Sequence, residues 1–277
     1  MPEHSVPELR SQSPLPDTPS CRALTRVLSS KLAMSAVIIA LLATVFGFVS
    51  TFLNMRDYAP LLQQNSVSAD ELYNPMLGTI VEGIWNAMIV FLTVITVGYA
   101  VLQITPQLLL LSRARRAKPL GSKPFTVLRT LCIVLFAMIV FDLFFAMILF
   151  SALTANYLSY LTLAISALAR LFLARLLGSL REIAVWGKAS KPVPCKITAF
   201  FVAIQIIANI SALVPTVLQY INPAYFKLDA YTCDSLPRFL LAIGMLVLGI
   251  AQNALYALAI LRLDRELPAA AQEAPTL

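Results

Sequence analysis

Six stretches of this chain are each long and apolar enough to cross a hydrocarbon core, and that pattern restricts the fold before any motif is considered. They run from Leu32 to Leu53, Val81 to Leu111, Leu128 to Leu153, Tyr157 to Leu180, Ile197 to Tyr220 and Phe239 to Leu261. A span needs about 20 residues at a rise of about 1.5 Å each. The second stretch exceeds this, and Pro106 near its end predicts a kink or a helical extension. Backbone groups in lipid must be satisfied within the segment, so the expected fold is all-α: a polytopic membrane protein with six transmembrane helices in one bundle. The expected organisation is a disordered tail over residues 1–30, the bundle over 31–262 and a short tail over 263–277.

Orientation follows from the basic residues, which cytoplasmic loops retain. Strict alternation across six spans puts 18 of the 21 Lys and Arg residues on one side, and only Arg56, Lys227 and Arg238 on the other. Both termini are therefore expected in the cytoplasm. Seven of the nine tyrosines fall in or beside the predicted outer segments, as interfacial aromatic residues should. The net charge of +7 is divided among short segments at membrane ends, which suits anionic lipid and argues against a nucleic-acid partner. A second membrane protein is a further candidate partner.

The residues a bilayer should reject are the most informative. Asp142, in VFDLFF, and Arg170, in SALARLF, lie well inside the third and fourth spans. In a tight hairpin turning at Asn156 they share a depth, so an intramembrane ion pair between them is expected. Thr162, Ser166, Arg170, Ala174 and Gly178 recur every fourth residue, a stripe that turns Arg170 toward neighbouring helices. On the second span Glu82, Asn86, Thr93, Thr96, Gln103 and Gln107 share an arc of about 100°, with Tyr99 off it. Gln205 and Asn209 on the fifth span, with Gln252 and Asn253 on the sixth, add amides that bond other helices or line a central polar cavity.

Most enzyme chemistry is disfavoured. The sole histidine, His4, lies in the tail, which argues against a His-ligated metal, a haem or a Ser-His or Cys-His pair. No Gly-rich phosphate loop, H-E-x-x-H or G-x-S-x-G occurs. Of the four cysteines only Cys233 falls on the predicted outer side, so no intrachain outer disulfide is expected. Ser13-Pro14 and Thr18-Pro19 are acceptor dipeptides for a proline-directed kinase. The sequence thus leads to a non-enzymatic integral membrane protein without cofactor. A scaffold or accessory subunit ranks first, a small-solute or proton-coupled transporter second, and a ligand sensor with Tyr-rich outer loops third.

Overall fold

The computed structural model describes residues 18–66, 75–150, 157–221 and 236–272, and these residues are helical apart from short connections. Seven helices follow in order: α1 (Pro19–Ser29), α2 (Lys31–Ser66), α3 (Pro75–Arg115), α4 (Lys123–Phe150), α5 (Tyr157–Trp186), α6 (Cys195–Ile221) and α7 (Leu236–Gln272). Six of them, α2 to α7, are long and apolar enough to span a membrane. At most 22% of any of these spans is buried, and large apolar side chains such as Val94, Phe141 and Phe200 face outward. Helices apolar on all sides need an apolar solvent.

Several boundaries differ from the sequence expectation. The tail expected to be disordered through residue 30 is helical from Pro19. Thr18 is its N-cap and Pro19 occupies the first turn, where the missing N–H costs nothing. The tail expected from residue 263 is also helical, because α7 continues to Gln272 with Leu263 buried. α3 runs unbroken through Pro106, which is itself buried. Ser30 separates α1 from α2 with extended backbone, and its hydroxyl serves both helices. It donates to the Val27 carbonyl at 2.6 Å and accepts from the Ala33 N–H at 3.3 Å.

Packing closes the six long helices into a ring in the order α2, α3, α4, α5, α6, α7 and back to α2. Among the described residues no packing pair of long helices crosses the ring. α1 contacts α2, α3, α5 and α7, so this short helix sits across the ring at the end where the basic residues gather. The tightest packing is at that same end. Leu24 and Val27 of α1, Leu110 of α3, Phe125 of α4, Leu180 and Ile183 of α5, Ala199 of α6 and Leu263 of α7 share one core cluster.

Small residues set the closest approaches. A Cβ at Gly249 of α7 would stand 3.0 Å from Asn209 Nδ2 of α6, so this glycine lets the two helices meet. Gly249→Leu is expected to cost about 1–3 kcal/mol by overpacking, whereas Gly249→Ala needs only a small shift of the amide. Thermal unfolding of the two variants in the same detergent checks the difference.

A positively charged cavity in the ring

Inside the ring, toward the basic end, lies a cavity of about 210 Å³. Every helix except α6 contributes to its wall. Most of the lining is apolar: Leu24, Val27 and Leu28 from α1, Ala36 and Val37 from α2, Leu128, Leu131 and Leu135 from α4, and Leu173, Leu177 and Leu180 from α5. From Arg170 to Leu180 the α5 wall extends about 15 Å along the helix axis.

One end of the cavity is polar. Arg170 of α5 lies within hydrogen-bonding reach of the Cys132 thiol of α4 and within electrostatic range of Tyr99 of α3 and Tyr256 of α7. The Tyr256 hydroxyl donates to Gln107 Oε1 at 3.0 Å, and Gln252 also bonds it. Gln103 completes the group. These positions follow from helical spacing. Tyr99, Gln103 and Gln107 recur every fourth residue on α3, as Gln252 and Tyr256 do on α7.

Among the described residues that line the cavity, Arg170 is the one charged side chain. A guanidinium stays charged at any physiological pH and offers five donors. Cys132 is a weak acceptor, and neutral phenols and amides do not balance the charge. Holding such a group near the middle of a span costs at least about 2.5 kcal/mol. The arrangement therefore leaves a cation whose field is directed into an otherwise apolar space.

Asp142 is not the group that balances it. It lies ten residues beyond Cys132 on α4, about 15 Å further along the helix, and is exposed. The structure does not bring the two charges together: the sequence expectation set the turn at Asn156, whereas Gly178 of α5 packs beside Arg129 of α4 and Cys132 lies by Arg170. The charge exchange Asp142→Arg with Arg170→Asp is accordingly expected to accumulate no better than Arg170→Asp alone, as read by the folded yield on size exclusion.

Of the other residues singled out by sequence, Gln103, Gln107 and Gln252 line the cavity. Asn86 is exposed, and Thr93, Gln205 and Asn253 are half-buried outside the lining. Asn209 packs against Gly249. The Glu82 side chain lies outside the described residues. Sequence reading passed over Tyr99, Cys132 and Tyr256 as contributors, although the four-residue spacing of Tyr99 with Gln103 and Gln107 carried the signal. Among the described residues no group of three or more His, Cys, Asp or Glu side chains is placed to hold a metal ion. Compared with protein-family models, with curated proteins and with solved structures, the chain matches none.

Proposed function

We propose that this chain is a non-enzymatic integral membrane protein that takes a small single-chain amphiphile with an anionic head into the Arg170 cavity. One observation carries the reading: among the described residues of the cavity wall the sole charge is a guanidinium, and the remainder is largely aliphatic. A carboxylate matches the guanidinium fork bidentately and relieves the cost of the unpaired charge. An alkyl chain fills the leucine-lined length, where each buried methylene contributes about 0.8 kcal/mol.

Size and charge narrow the ligand. At about 210 Å³ the cavity is smaller than the roughly 300–1,000 Å³ typical of drug-sized ligands, which favours one short chain over a two-chain lipid. The basic end then faces the cytoplasm, with exposed Arg26, Lys31, Lys188 and Lys196 available to anionic headgroups.

Binding of dodecanoate to the purified protein in neutral-lipid nanodiscs tests the proposal. Saturable, one-to-one binding is expected, with dodecanol and dodecyltrimethylammonium failing to compete. Equal competition by all three would reduce the cavity to a greasy crevice and return the protein to the scaffold reading.

A further inference from the structure

α1 covers the basic end of the cavity and packs against α2, α3, α5 and α7. Leu24, Val27 and Leu28 form part of the cavity wall, and α1 is joined to α2 only through Ser30. At its other end the Thr18 hydroxyl holds the helix in place. It accepts from the Cys21 N–H at 3.3 Å, capping α1, and donates to the Gly187 carbonyl at 2.9 Å, 169 residues away. Gly187 terminates α5 at φ +73°, with its N–H on the Ile183 carbonyl at 2.9 Å. A Cβ there would run into Thr18, so glycine is required both by its conformation and by the closeness of Thr18.

Thr18 is followed by Pro19 and has extended backbone (φ −93°, ψ 148°), the conformation forced on a residue before proline. We propose that Thr18 is a phosphorylation site for a proline-directed protein kinase, and that the modification lifts α1 from the mouth of the cavity. The γ-phosphoryl group of a nucleoside triphosphate passes to Thr18 Oγ1. The P–O bond to the nucleoside diphosphate breaks as the new one forms, and the hydroxyl proton leaves to solvent or to the kinase base.

The consequence follows from the contacts. Phosphorylated Oγ1 has no proton to donate to the Gly187 carbonyl, so the hydrogen bond that ties α1 to the end of α5 is lost. The added charge of about −2 faces the C-terminal carbonyls of α5, the negative end of that helix dipole. The same charge is favourable at the N-terminus of α1 itself. α1 therefore remains a helix and loses its docking, which opens the cavity at the basic end. The proposal rests on the basic end being cytoplasmic in the cell and on the cavity being a binding site.

The native full-length chain in nanodiscs, treated with a proline-directed kinase and ATP, provides the test. Both faces of a nanodisc are accessible, so a wrong orientation leaves this experiment unaffected; reporter tags at the two ends test orientation separately. Cys21 is buried on α1 at 2% exposure and reports docking by its rate of maleimide labelling, read by mass spectrometry. Phosphate on Thr18 with labelling of Cys21 raised about tenfold or more is the expected result, given the lost hydrogen bond to Gly187 and the charge set against the end of α5. Thr18→Val, which lacks the hydroxyl, should abolish the kinase-dependent rise. Failure of the kinase to modify Thr18, or modification with Cys21 labelling unchanged, overturns the proposal. Neither result bears on dodecanoate binding, which stands or falls by its own assay.

Discussion

Arg170→Gln is expected to weaken dodecanoate binding by about 30-fold or more while making the empty protein harder to unfold. The two effects have opposite signs for one reason. In the empty state no carboxylate among the described residues of the cavity wall faces the guanidinium, so its removal relieves a desolvation cost. In the occupied state the same change strands a buried anion, a loss of about 2–5 kcal/mol in comparable buried pairs. Arg170→Lys keeps the charge without the planar fork and should fall between wild type and glutamine. Titration with dodecanoate and thermal unfolding without it, on the same three preparations, check both signs. A protein destabilised by Arg170→Gln in the empty state would identify the arginine as a structural anchor instead.

The second large effect concerns α1. Leu24 is 1% exposed and belongs both to the core cluster at the basic end and to the cavity wall. Leu24→Ala removes about 2–5 kcal/mol of packing. An eleven-residue helix is marginal on its own, and α1 depends on this seat for its position. The loss should therefore appear as local undocking, with Cys21 labelling raised about 30-fold or more and the unfolding of the spans little changed. If Leu24→Ala instead lowers the unfolding temperature of the whole ring and leaves Cys21 protected until that point, α1 is an inseparable part of the core.

How much of this was legible in the sequence depends on the range of the interactions. The spans were legible because apolar runs are local: the stretch from Leu128 to Leu153 falls largely within α4, and the stretch from Ile197 to Tyr220 lies within α6. The inward direction of Arg170 was also legible, since the stripe through Ser166, Ala174 and Gly178 is a periodicity along one helix. Its surroundings were not. Cys132 meets Arg170 through the packing of α4 on α5, which no single helix encodes. α1 is the instructive failure. Thr18 and Pro19 form a helix-start signal, and Ala23, Leu24, Val27 and Leu28 supply an apolar face, yet the Pro- and Ser-rich residues before them dominated the reading. Eleven residues have too little apolar surface to announce a helix whose stability comes from four other helices.

The ring also accounts for the position of the cavity. Six helices closed without a central helix leave axial space, and α1 fills that space only at the basic end. Aliphatic side chains from six helices narrow the remainder, and the polar group from α3, α4, α5 and α7 marks its deep end. Asp142 and Asn86 are exposed outside the cavity wall and take no part in it.

A photoreactive dodecanoate with a diazirine near the end of its chain tests the central claim most directly. Cross-linked to the protein in nanodiscs and mapped by peptide mass spectrometry, it should label the cavity wall at Leu131, Leu135, Leu173 or Leu177, and Arg170→Gln should remove that labelling. Adducts confined to outward-facing positions such as Val94, Phe141 and Phe200, unchanged by Arg170→Gln, would contradict the account.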